Sequence, residues 1–202
     1  MESNVVLGDQ LLSQAEIRTR AAYAAAGFRT LGVDRGDAIA LLLRNDIPFF
    51  EVLTAAQHLA AYSVPINWHL SAREVLHVLI DSGAKALVAH ADLLHGIRHV
   101  VPDELPVIVV ATPRLIQEAC AIDASTCPPP SEYPVWTQWL AEYEPLPGDA
   151  AGAAADVTGV RSLLAVGVAG ALVAMAVMCA LVPHWLPARS GASGRLPCCT
   201  QA

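Results

Sequence analysis

Lys85 is the one lysine in 202 residues, and a lone lysine just after a glycine invites a functional reading as a mobile positive charge. It stands in Asp81-Ser-Gly-Ala-Lys85, between a helix end and a strand, where a solvated loop role is the expectation. The histidines offer little metal chemistry. His77 lies in a helical stretch, His90 and His95 are five apart, and His99 follows a basic residue, so ordinary surface or core histidines are expected rather than a helical ligand pair. Trp68-His69 is more suggestive, because it falls in a loop after a strand end, where α/β proteins bind ligands. The five cysteines, Cys120, Cys127, Cys179, Cys198 and Cys199, are odd in number and lack CxxC spacing. Neither a disulfide framework nor a zinc site is indicated. Cys198-Cys199 has the look of an acylation site, but it stands 16 residues past the apolar run ending at Val182, so unmodified thiols are expected. No residue is assigned a catalytic, cofactor-binding or metal-ligating role on these grounds.

The elements that position such groups are clearest between Leu31 and His90. Asp34-Arg-Gly36 makes a polar turn before Ala38 to Leu43, a run too short and too apolar for a surface helix and best read as a strand covered on both faces. From Ile47 the period changes: Ile47, Phe50, Val52, Leu53, Ala56, Leu59 and Ala60 recur at three and four residues, one side of a helix with Asp46 as N-cap. Ser63 to Asn67 is a short extended piece whose Pro65 places it at a sheet edge or at a strand's end. Ser71-Ala-Arg-Glu74 is a capping box, followed by a helix burying Val75, Leu76, Val78, Leu79 and Ile80 and stopped at Gly83. Ala86 to Ala89 is the next strand. Upstream, Leu7 to Phe28 reads as one helix with Leu11, Leu12, Ala15, Ala22, Tyr23 and Ala26 inside and Gln14, Glu16, Arg18 and Arg20 outside. Downstream come a short helix over Ala91 to His99, a strand over Pro106 to Val110, a helix from Pro113 to Cys120, a break at Cys127-Pro-Pro-Pro130, and a short helix over Val135 to Tyr143 that packs Trp136, Trp139 and Leu140 inward. Strand and helix alternate with short links, so the fold class is α/β: a partial doubly wound, mainly parallel sheet flanked by helices.

Four blocks then carry a family likeness. Leu31-Gly-Val-Asp-Arg-Gly-Asp37, Arg44-Asn-Asp46 opening a helix, Val64-Pro-Ile-Asn67 and Asp81-Ser-Gly-Ala-Lys-Ala-Leu-Val88 resemble, in order and spacing, the N-terminal subdomain of the adenylate-forming (AMP-binding) acyl-CoA synthetases. Asn67-Trp-His-Leu-Ser71 is most similar to the fatty-acyl-CoA ligase branch. The resemblance covers roughly residues 5 to 150, and its blocks are fold residues rather than catalytic ones. It implies ATP-dependent activation of a carboxylic acid to an acyl-adenylate and transfer to coenzyme A, with Mg2+. That chemistry needs a Ser/Thr/Gly-rich loop ending in Pro-Lys-Gly to hold the ATP phosphates, expected soon after residue 150. Gly152 to Gly159 has glycines and Thr158 but no lysine. The later aromatic-Gly-Glu motif, ribose-binding Asp and C-terminal Lys have no counterparts here. The expectation is therefore an N-terminal part of such a ligase that binds no cofactor by itself and is inactive alone.

Charge divides the chain. All 19 acidic residues lie between Glu2 and Asp156 with nine of the 12 basic ones, whereas residues 157–202 hold three arginines and no acid. An acidic body without a basic stripe excludes an electrostatic footprint for nucleic acid. The N-terminus has no basic region and no long apolar core, so it is not a secretory signal, and a cytoplasmic body is expected. The expected organisation is an incomplete synthetase-like subdomain over 1–147, a linker over 148–161 (GDAAGAAAD at its start), a C-terminal hydrophobic helix over 162–183 and a disordered tail over 184–202. Leu163 to Val182 is a run of 20 residues without a charge, long enough to cross a ~30 Å hydrocarbon core. A single-pass membrane tether is the alternative to the ligase reading, and membrane is one expected partner. Translation of a GC-rich gene out of frame would yield a similar Ala-, Gly-, Val- and Arg-rich stretch. Self-association through a sheet surface left uncovered is the other expected contact.

Overall fold

In a computed structural model of the chain, the structure describes residues 4–8 and 10–147. The linker, the hydrophobic segment with Leu163 to Val182, the tail and Cys198-Cys199 all lie outside the described residues. Among the described residues, no helix is long and apolar enough to cross a membrane.

The chain begins with β1 (Asn4–Leu7) and β2 (Gln10–Ser13), an antiparallel hairpin in which Val6 faces Leu11. Then comes α1 (Gln14–Thr30). This corrects the single helix expected from Leu7. Gly8 takes φ +60, a left-handed conformation that only glycine adopts without cost, and this turns the chain back on itself. Ser13 and Glu16 form a reciprocal capping box that starts the helix at Gln14, seven residues late. Leu11 is thus a strand residue 60% exposed, and the buried side of α1 is Ile17, Ala21, Ala22, Ala24, Ala25 and Phe28. Gly27 sits inside the helix for a packing reason: a Cβ there would lie 2.6 Å from the Trp139 ring.

Next follow β3 (Ala38–Leu42), α2 (Ile47–His58), β4 (Tyr62–Pro65), α3 (Ala72–Ser82), β5 (Ala86–His90), α4 (Ala91–Ile97), β6 (Val107–Val110), α5 (Arg114–Cys120) and α6 (Trp136–Leu140). β3 to β6 form a four-stranded sheet in the order β4-β3-β5-β6, with every pairing parallel. β4 is at the edge, as Pro65 requires. β3, β5 and β6 are buried throughout, because helices cover both faces. Ile39, Leu41, Val88, Ile108 and Val110 pack with residues of α1, α2 and α6. Ala40, Leu42, Leu87, Ala89, Val107 and Val109 pack with α3 and α4. Alternate residues of each strand therefore enter opposite cores.

Two helix faces differ from their spacing. On α3, Val75 and Leu79 are buried but Ile80 is 66% exposed; on α2, Phe50 lies outside while Glu51 lies inside, and Ala60 falls beyond the helix end at His58. A stripe that serves a flat sheet is narrower than the apolar set the pattern counts.

α3 also has its expected capping box, with the Ser71 N–H and Oγ both within 2.8 Å of Glu74. Hydrogen bonds from Ser13 and Ser71 hold the Glu16 and Glu74 carboxyls below the ordinary carboxylate range. Both groups are fully exposed, so the effect on stability is small. Its sign follows from the lowering: the contribution is complete above the unfolded value of about 4.3 and is lost as pH falls through the lower folded values. Acidification is expected to lower the amide protection factors at the first turns of α1 and α3 before the sheet responds. Ser71→Ala removes the hydroxyl but keeps the backbone N–H, so it should weaken that pH dependence in α3; unchanged behaviour would refute it.

Candidate functional site

The chain passes from β3 outward to β4 and then crosses back to place β5 on the other side of β3. The carboxyl ends of β3 and β5 thus form a topological switch point, where open α/β sheets hold ligands. Polar residues collect there because each stands at or just beyond the end of an apolar strand: Arg44 and Asp46 after β3, His90 and Asp92 around the β5–α4 junction, and Thr112 after β6.

These groups satisfy one another. The Arg44 guanidinium lies 2.6 Å from Asp92, whose other oxygen accepts the Thr112 hydroxyl at 2.6 Å. The Thr112 carbonyl in turn accepts the Gln117 amide at 2.6 Å. Asp46 Oδ1 accepts the Ile47 N–H at 2.6 Å, capping α2, and its Oδ2 lies 3.0 Å from His90 Nε2. His90 Nδ1 accepts the Arg44 backbone N–H at 3.1 Å. Arg44 also lies over the Trp68 ring, 5.0 Å from its centroid, a cation–π contact. The sequence candidate Trp68-His69 is therefore brought to the switch point, its two rings 3.6 Å apart. Among the described residues, Arg44 Nε is the one buried side-chain polar atom without a partner.

A second cluster borders a cleft of about 320 Å³ beside the first, lined by Leu12, Arg20, Ile47, Val110, Val135 and Trp136. Behind the lining, the Arg20 guanidinium pairs with the buried Glu51 through Nε–Oε1, while Trp136 Nε1 donates to Glu51 Oε2 at 2.6 Å. Arg20, expected on the outside of α1, instead turns inward because Glu51 is wholly buried and needs a counter-charge.

The remaining candidates stay apart from this edge. Lys85 is exposed at the amino end of β5, its backbone N–H bonded to the Ala38 carbonyl at 2.8 Å. His77, His95 and His99 are exposed. His95 and His99 are four apart, but α4 ends at Ile97 and a 3-10 turn carries His99, so the helical register that would align them is lost. Among the described residues no group of three His, Cys, Asp or Glu could hold a metal. Burial pushes the Cys127 thiol up from its ordinary value and nearby Asp92 adds to this, so it stays protonated at neutral pH and is a poor nucleophile. The Arg44–Asp92 and His90–Asp46 pairs leave no local spacing signal in the sequence, since their partners stand 48 and 44 residues apart.

The family pattern described as AMP-binding enzyme matches residues 2–157. A feruloyl-CoA synthase of Amycolatopsis sp is 40% identical over 81 residues, 40% of this chain and 16% of that one. The long-chain-fatty-acid–CoA ligase FadD13 of Mycobacterium tuberculosis is 36% identical over 80 residues, again 40% of this chain and 16% of that protein. Among solved structures, a benzoate CoA ligase from Burkholderia xenovorans LB400 superposes with a TM-score of 0.57 at 19% identity, covering 71% of this chain and 26% of that one. That likeness concerns the fold. The matched region spans about a sixth of the length of these curated relatives.

Proposed function

The chain belongs to the AMP-binding enzyme family, and from that premise we propose that residues 4–147 serve as the N-terminal α/β lobe of an AMP-forming acid–CoA ligase and do not activate an acid by themselves. The names of the curated relatives, a feruloyl-CoA and a long-chain fatty-acyl-CoA enzyme, support an aryl or fatty carboxylic acid as the substrate class of the whole ligase. ATP, Mg2+ and coenzyme A are the cofactors such a ligase takes. The described residues do not fit them. The carboxylates at the switch point are already engaged by Arg44, Thr112, His90 and a helix N–H, and the chain's lysine stands at the amino end of β5, away from the switch point.

The observation that carries this reading is the self-satisfied network at the strand ends within a match spanning residues 2–157. Stabilisation of a phosphoryl-transfer transition state requires donors aimed at an incoming anion, and here the buried donors other than Arg44 Nε are engaged by acceptors of the protein itself. Purified full-length chain, given ATP, Mg2+ and either ferulate or a long-chain fatty acid, is expected to show background ATP–pyrophosphate exchange. Robust acid-dependent exchange refutes the proposal.

The charge-free run from Leu163 to Val182 favours a second reading, a non-enzymatic α/β body tethered by a single pass with the body in the cytoplasm. On that reading the chain remains in the pellet after carbonate extraction of membranes; release into the soluble fraction sinks it. No nucleic-acid partner is proposed. Self-association is a further proposal, tested by truncation at Asp156: a monodisperse monomer at high concentration counts against it.

A further inference from the structure

We infer that His90 is a proton-sensitive latch, held as the neutral Nε2–H tautomer, whose second protonation gives up the Arg44 backbone N–H of the β3–α2 connection while the bond to Asp46 is kept. His90 is fully buried, and both ring nitrogens are committed. Nδ1 faces the Arg44 N–H at 3.1 Å. A backbone amide can only donate, so Nδ1 must be the acceptor and the ring proton lies on Nε2, directed at Asp46 Oδ2 at 3.0 Å. The tautomer follows from this, because the alternative sets N–H against N–H.

The two contacts join three pieces of chain. His90 is the last residue of β5 and the N-cap of α4; Arg44 ends the run after β3; Asp46 caps α2. Asp46, Ile47 and Pro48 also line the cleft, so whatever frees the segment from Arg44 to Asp46 changes the shape of the cleft. A second proton on His90 has one available position, Nδ1, where it meets the Arg44 amide. The imidazolium can keep its bond to Asp46 but not the one to Arg44. The charged groups around it are few: Asp46 on the β3–α2 connection favours the added charge, the Arg44 guanidinium opposes it, and Asp92 on α4 is already paired with Arg44 and Thr112. Cys127, near Asp92, is held as a thiol and contributes no charge. The sign is therefore set by geometry: the latch is closed with the ring neutral and opens as the ring gains a proton.

Full-length chain labelled with 15N-histidine, followed by NMR as the pH is lowered from about 8, tests this. At the upper end His90 is expected to show a protonated Nε2 and an unprotonated Nδ1. As the Nδ1 signal moves to the protonated form, the protection factor of the Arg44 amide should fall about tenfold while that of Leu87 within β5 holds. In His90→Asn, which offers an amide acceptor that does not titrate, Arg44 protection should be independent of pH over the same range. A proton on Nδ1 at neutral pH, or Arg44 protection unchanged through the ring's titration, overturns the latch. The first two readouts need no variant, so they stand even if His90→Asn does not fold.

Discussion

Replacing Trp136 by alanine is expected to cost about 3–5 kcal/mol, the range for truncating a fully buried large aromatic side chain. Trp136 is 1% exposed and anchors α6, a helix of five residues too short to persist without tertiary packing. Its ring stacks on Trp139 at 5.6 Å and meets Phe28 of α1 at 6.1 Å, so its removal opens the core on the α1 side of the sheet. It also supplies a hydrogen bond to Glu51. The two losses are separable, since Trp136→Phe keeps most of the apolar contact and removes the N–H. That variant should cost about 1–3 kcal/mol for a buried carboxylate that has lost one donor. Urea unfolding followed by tryptophan fluorescence and circular dichroism measures both. A loss below about 1 kcal/mol for Trp136→Ala would mean that α6 is not part of the cooperative unit.

Arg20→Ala is expected to be next in size, at about 3 kcal/mol, because it leaves the Glu51 carboxylate buried with a single neutral donor. The lower end of the range for breaking a buried ion pair applies. The Arg20 side chain is 40% exposed, so water already screens part of the interaction. The companion Arg20→Leu/Glu51→Leu removes both charges and should recover most of the loss, short of the cost of the Trp136 N–H left without its acceptor. If the double variant is no more stable than Arg20→Ala, then Glu51 is not an uncompensated charge in the single variant and packing alone explains the cost. The two predictions share Glu51, so Arg20 and Trp136 variants combined should fall short of additivity.

These residues also mark the limit of what a linear reading yields. The strands were legible because burial on both faces writes itself as an uninterrupted apolar run: Ala38 to Leu42, Ala86 to His90 and Val107 to Val110. Helix starts were legible where the cap is local, as at Asp46 and Ser71-Glu74. The same signal at Ser13-Glu16 competes with a longer apolar period that runs from Leu7. Gly8 marks the break within that period, since it interrupts a helix and favours a hairpin turn. Glu51 could not be placed from its neighbours. On α2 it occupies a core position whose cost is offset by Arg20, 31 residues earlier, and Trp136, 85 residues later.

What the sequence determined by itself is the alternation of strand and helix, the parallel α/β class and, through four short blocks, the family. Those features depend on periodicity and on caps within a few residues, so local order is enough to specify them. What the tertiary structure alone decided is which polar side chains meet. Arg44 with Asp92, His90 with Asp46, and Arg20 with Glu51 and Trp136 are joined only after the crossover between β3 and β5 aligns the strand ends and the helices close over the sheet. Burying a charge is tolerable only when a partner arrives from elsewhere in the chain, and where that partner comes from is a property of the topology.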